Sequence, residues 1–238
     1  MVHKPSVPKD LDHPRRLWAR ATALGMLATA GLEGDDYRLA AGRLRCDSQG
    51  GSYWWRMSLH GAGRAVFCGQ DADGSHGHLR RVPVDFLAGG PGWLPWRELR
   101  AEQDDCALGY VYWWHDGAWA RAPYPEDLVD DGLGLSAAWV GDDAELVVLL
   151  AEAAEAAEAA ETAEAAEAGA QVSGALVAFL DRAEEATVDG AAVRALLGAF
   201  TPTEPPKPQA VESALDFAAR AALTPGGVPR RGRAAHTG

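Results

Sequence analysis

Long apolar runs are missing from this 238-residue chain. No stretch approaches the roughly 18 consecutive apolar residues that a bilayer span requires, which excludes an ordinary transmembrane helix. Cysteine is scarce as well. Cys46, Cys68 and Cys106 are an odd, scattered set without CxxC spacing. That excludes a disulfide framework and fits buried thiols in a reducing compartment. Catalytic signatures are equally thin. The chain has no GxSxG nucleophile turn, no GxxxxGK[ST] phosphate loop and no GxGxxG between a strand and a helix. Gly61-Ala62-Gly63 reads as a hairpin turn instead.

Positive charge is in deficit, with 22 Lys and Arg against 34 Asp and Glu, a formal −12. The deficit is uneven. Met1–Arg45 holds eight basic and five acidic residues, and Pro202–Gly238 holds five and three. Cys46–Thr201 holds nine and 26, a net −17. An acidic body repels a phosphate backbone, which argues against nucleic acid as the ligand and in favour of solubility or a basic protein partner.

What the chain does have is tryptophan. Eight of its nine Trp fall between Trp54 and Val140. The densest stretch is Leu108–Ala122, LGYVYWWHDGAWARA. Asp116-Gly117 supplies the positive φ values of a two-residue type I′ turn. The turn sets the register: His115 opposite Ala118, Trp114 opposite Trp119, Trp113 opposite Ala120, Tyr112 opposite Arg121. Trp114 and Trp119 then form a non-hydrogen-bonded pair, where side chains lie closest, and such aromatic pairs contribute roughly 0.2–1 kcal/mol. One face carries Leu108, Tyr110, Tyr112, Trp114, Trp119 and Arg121, and the other Val111, Trp113, His115, Ala118 and Ala120. Bulk on both faces predicts a central hairpin covered on at least one side. An exposed aromatic face that binds a sugar or a protein is the alternative.

The rest of the chain predicts an α+β domain over 12–140: a mostly antiparallel sheet of about five strands packed by an N-terminal helix and short helices. Residues 1–11 read as a flexible N-terminus. Asp12 or His13 caps a helix with Pro14 in its first turn and Gly31 at its end. Tyr37–Cys46 reads as one strand. Ser52–His60 alternates, with only Trp54 breaking the polar face, and Arg64–Gly69 returns beside it. Phe86–Gly90 and the stretch from Pro95 to Gln103 predict short helical pieces, and Pro123–Asp127 a further helical turn. A helical extension over 141–200 follows. Six Glu recur every third residue from Glu152 to Glu167. Each lies about 60° behind the last on a helix, so the charge winds round it and leaves no apolar stripe. We read this Ala/Glu repeat as an exposed helical spacer. Val172, Leu176, Phe179 and Leu180 restore an apolar face, and Asp189 caps the next helix. A Pro-rich linker over 201–208 leads to a helix over 209–223, and 224–238 reads as a disordered basic tail.

Candidates for chemistry are few. Asp71, Asp73, His76 and His78 share one loop. The two Asp begin like a calcium loop, but Val82 stands where the twelfth-position Glu belongs. His76 and His78 point the same way on an extended chain and could share zinc or another divalent metal with an Asp. The bland alternative is a polar turn. Cys68 with His60, His76 or His115 would make a thiolate pair only if folding brought them together. Carboxylate pairs such as Asp104-Asp105, Glu126-Asp127 and Asp142-Asp143 suit helix caps better than glycosidase chemistry.

The expectation is therefore a non-enzymatic protein-interaction module without a cofactor, an inhibitor or immunity-type protein for a basic partner. Tyr112, Trp114, Trp119, Arg121, Trp96, Asp130 and Asp131 would form the contact. A metal-dependent enzyme centred on Asp71–His78 and a carbohydrate-binding protein using the Trp/Tyr face are the alternatives. A cytoplasmic setting is expected. Export is the alternative, because Arg15-Arg16 precedes the apolar Ala21–Leu32 and Ala28-Thr29-Ala30 resembles a cleavage site. Arg20 and the polar lead speak against it.

Overall fold

A computed structural model describes residues 1–155, 163–201 and 204–226. The middle of the Ala/Glu repeat, two linker positions and the basic tail from 227 onward lie outside the described residues. The described fold is α+β: one antiparallel sheet of six strands and seven helices.

The strands are β1 (Asp36–Ala40), β2 (Arg43–Asp47), β3 (Tyr53–His60), β4 (Arg64–Asp71), β5 (Tyr110–His115) and β6 (Ala118–Arg121). Each pairs with the next in sequence order, so the sheet is a pure meander. The β5–β6 register has Trp114 opposite Trp119 and Tyr112 opposite Arg121, as the Asp-Gly turn requires. The two Trp rings meet edge-on with centroids 5.6 Å apart. Tyr37–Cys46 is a hairpin rather than one strand, because Ala41 and Gly42 both take positive φ and fold Leu39 onto Leu44.

Helix α1 (Pro14–Thr29) lies on one face of the sheet. His13 caps it through Nδ1, which accepts from the Arg15 N–H, and Gly31 closes it with a positive φ. Every residue from Leu17 to Leu27 is buried. A helix buried all round has no solvent side, and here it is sandwiched between the sheet and an outer helical layer. That layer contains α5 (Ala163–Glu184), α6 (Gly190–Phe200) and α7 (Pro208–Arg220). At Gly25 the absent side chain admits the Phe217 ring, whose Cζ would stand 2.5 Å from a Cβ there. The helices after 141 therefore share one continuous apolar cluster with the sheet.

The other sheet face is covered too. The long β4–β5 connection, with α2 (Trp96–Asp104), lays Phe86, Leu87, Leu94 and Leu99 over Val66, Cys68, Val111 and Trp113. Arg56 is buried beneath α2 and grips Glu102 with both terminal nitrogens, at 2.5 and 2.9 Å. Phe86–Gly90 and Pro123–Asp127 are turns and coil, not helix. A short helix, α3 (Leu133–Ser136), leads to α4 (Asp143–Glu155).

The first eleven residues, expected to be flexible, are a packed strap. Asp10 accepts from the His3 and Val7 N–H groups at 3.1 and 2.7 Å. Ser6 is 0% exposed, with its hydroxyl between Tyr112 and Asp131. Buried partners from the sheet and the 130–131 turn organise a stretch whose own composition carries no periodic signal.

Candidate functional site

An open cleft of about 1310 Å³ is present among the described residues. It lies between the end of the sheet and the ends of three helices. The sheet wall is the β1–β2 turn, the β3–β4 turn from Leu59 to Arg64, and Trp114 at the end of β5. The helical wall is the first turn of α1 and the C-terminal ends of α5 and α7. Local chemistry shapes both walls. Ala62 and Gly63 take the positive φ values of a tight hairpin. Ala186 and Ala222 take positive φ just past α5 and α7 and turn the chain away. The Val188 N–H then donates to the Leu223 carbonyl at 2.9 Å and ties the two helix ends together. The Trp18 indole N–H donates to the Ala221 carbonyl at 2.9 Å, which fixes α1 against α7.

The floor is apolar. Trp114 is half-buried and packs edge-on against His13, with ring centroids 5.0 Å apart. Leu59 is 39% exposed at the rim, and Pro14 and Leu223 complete the surface. Several Ala and Gly among the lining residues leave room for an incoming backbone.

The rim carries both signs. Arg15, Arg64 and Arg220 stand against Glu184 and Glu185. Arg64 donates to the Gly61 carbonyl at 2.7 Å and stacks over Trp93 at 5.0 Å. Burial, with Arg43 and Arg64 nearby, lowers the His60 pKa below its usual 6.5, so this ring is uncharged at neutral pH. The helical lip runs on into an acidic depression of about 590 Å³, lined by Asp12, Asp181, Glu184 and Glu185 with Arg15 and Arg16. Arg16 is already engaged by Asp143 and by Asp181 at 2.9 Å. Asp12 is likewise paired with Arg20 at 2.8 Å, so four carboxylates and two guanidinium groups line the depression, with Asp12 and Asp181 already in ion pairs. What this lining offers is contact surface, guanidinium groups and carboxylates.

No protein-family model, curated protein or solved structure matches this chain.

Of the residues nominated for a partner contact, only Trp114 reaches the cleft. Tyr112 and Asp131 are fully buried, Trp119 is 7% exposed, and Asp130 is buried. The aromatic face of the hairpin is not a free surface, because α1 and the N-terminal strap cover it. Arg121 is half-buried, donates to the Ser6 and Ala122 carbonyls and lies 3.6 Å over the Tyr124 ring. Trp96 belongs to the opposite layer, where its indole N–H donates to the Pro91 carbonyl at 3.1 Å.

The Asp71–His78 loop is built as a turn. One Asp71 carboxylate oxygen accepts from the Asp73 and Gly74 N–H groups at 2.9 and 2.8 Å. The His76 ring nitrogen bonds the Asp73 carbonyl at 2.8 Å. Among the described residues, no three His, Cys, Asp or Glu side chains come close enough to hold a metal. Cys68 is fully buried, and burial pushes its thiol up to about 11, far from the thiolate that a nucleophile needs.

Sequence reading missed His13, Arg15, Leu59, Glu184, Glu185 and Leu223 as one group. Leu59 alone carried a hint: it continues the apolar alternation of β3 to a position at the strand end, beyond full cover.

Proposed function

We propose that this protein is a non-enzymatic interaction module of the inhibitor or immunity type, in a cytoplasmic setting, which receives a segment of a basic protein partner in the cleft. One observation carries the reading: an open, apolar-floored cleft with an acidic helical lip. Small-ligand pockets span about 300–1,000 Å³, so a cleft of about 1310 Å³ suits several residues of a peptide or loop better. Trp114 would serve as the apolar anchor, in keeping with the weight of Trp at interface centres. Glu184 and Glu185 on the helical lip would steer a basic partner, in keeping with the −12 charge of the chain.

The test is quantitative capture from lysate, comparing the wild type with Trp114→Ala and with Glu184→Gln/Glu185→Gln. A stoichiometric basic protein, lost with Trp114→Ala and weakened by the double charge variant and by salt, supports the reading. Capture indifferent to both variants overturns it. Binding that depends on Trp114 but not on salt removes the electrostatic part.

A further inference from the structure

The strap ahead of α1 is seated as a bound peptide would be. Of residues 1–9 only Ser6 is buried, and all of its polar groups are matched. Its N–H donates to Asp131 at 3.3 Å and its hydroxyl to the same carboxylate. Tyr112 meets that hydroxyl at 2.7 Å, and Arg121 Nε donates to the Ser6 carbonyl at 3.1 Å. Two residues earlier, Lys4 Nζ lies 2.9 Å from an Asp130 carboxylate oxygen. Adjacent carboxylates thus recognise a cation and a hydroxyl at a fixed spacing. Val7, which precedes Pro8, is extended, with φ −127° and ψ 158°, and the chain bends at Lys4-Pro5.

We propose that the strap is a built-in, exchangeable ligand, and that its seat is a binding site for a protein segment carrying a basic residue two positions before a serine. A partner with such a segment takes the seat by displacing the strap. The receptor groups Tyr112, Arg121, Asp130 and Asp131 all lie more than 100 residues from the strap; Arg121 also donates to the Ala122 carbonyl, and Asp130 and Asp131 also accept from the Gly132 and Leu133 N–H groups. Asp131 is the specificity element. A carboxylate this buried is costly to leave unpaired, so the seat rejects a segment that brings no donor. The tethered strap competes at an effective concentration on the order of millimolar, so exchange needs either a tighter segment or a weakened strap. None of the receptor groups lines the cleft, and the proposal stands apart from the cleft reading.

The test is fluorescence anisotropy of a labelled peptide of sequence HKPSVPK, residues 3–9, titrated with the full chain as wild type, Lys4→Ala or Ser6→Ala. Lys4 is exposed, so Lys4→Ala keeps the fold even if Ser6→Ala does not; far-UV circular dichroism reports on both. The expected result is binding to Lys4→Ala at least about tenfold tighter than to wild type. Peptides with Ala in place of the Lys or the Ser should bind that variant at least about tenfold more weakly. Adding Asp130→Asn to Lys4→Ala should abolish the dependence on the peptide Lys. No binding to folded Lys4→Ala protein, equal binding to wild type, or binding indifferent to the peptide Lys and Ser each overturns the proposal.

Discussion

Arg20 Nε donates to Asp143 Oδ1 across 2.6 Å and so joins the buried middle of the first helix to the start of α4. The same guanidinium reaches Asp12 at 2.8 Å and the Trp139 and Val140 carbonyls at 3.1 and 3.0 Å. Arg20 is 1% exposed, which explains why an arginine interrupts an otherwise apolar helix. It is the polar junction at which α1, the 139–143 turn and Asp12 meet.

Removing one partner of a buried ion pair costs about 3–5 kcal/mol. Asp143 retains some exposure, so Asp143→Ala should lie near the lower end, about 3 kcal/mol. Urea unfolding at pH 7 measures this, and a loss below about 1 kcal/mol would remove the junction from the stability of the fold.

The junction should also be acid-labile. Burial opposes ionisation of Asp143, but hydrogen bonds and charge from Arg16 and Arg20 outweigh it and hold the carboxyl below its usual 3.8. A group with a depressed folded pKa stabilises fully above its unfolded pKa and loses that contribution as pH falls through the folded value. The stability gap between wild type and Asp143→Asn should therefore be constant from about pH 8 to 5 and shrink below about pH 4. A gap that grows on acidification would contradict this assignment.

Gly25 and Phe217 define the α1–α7 contact. Gly25→Ala should destabilise by about 1–3 kcal/mol through overpacking, although Ala is the better helix former by about 1 kcal/mol. Phe217→Leu in the same chain should recover part of the loss. Thermal melts of the two single variants and the double variant close the cycle; additive losses would mean that the two residues do not meet.

The paired tryptophans should separate stability from binding. Trp119 is buried and its indole N–H donates to the Asp12 carbonyl at 2.7 Å. Trp119→Ala should cost about 3–5 kcal/mol. Trp114 is half-buried at the cleft, so Trp114→Ala should cost less stability and more affinity. Calorimetry would show whether the two melting temperatures diverge in that order.

Thiol reactivity should be confined to Cys106, which is exposed, while Cys46 and Cys68 are buried. Burial raises both buried thiols, Cys46 further under the charge of Asp35. Titration of the native protein with an aromatic disulfide should find one fast thiol, and three after denaturation. A second fast thiol would indicate opening of the β2 or β4 layer.

Much of the fold is legible because its signals are local. Asp116-Gly117 determines the β5–β6 register, since a two-residue turn with positive φ at both positions leaves one pairing. Pro14 and Gly31 bound α1, and Asp189 begins α6 by accepting from the Ala191 and Ala192 N–H groups. In β3 the period-2 pattern identifies Trp55 and Met57 as core, but Arg56 and Ser58 on the opposite face are buried as well and Leu59 is exposed. The Ala41-Gly42 turn escaped that logic, because alanine rarely takes the positive φ it adopts here.

Only the tertiary structure decided where surface remains. Both faces of the aromatic hairpin read as equally apolar, and packing covered each, one with α1 and the strap, the other with the β4–β5 connection. The cleft draws on six separate parts of the chain, from His13 to Leu223, and the Ser6–Asp131 contact spans 125 positions. Periodicity reports which side of one element is buried, whereas a concavity depends on how far neighbouring elements extend past one another, and no local pattern encodes that.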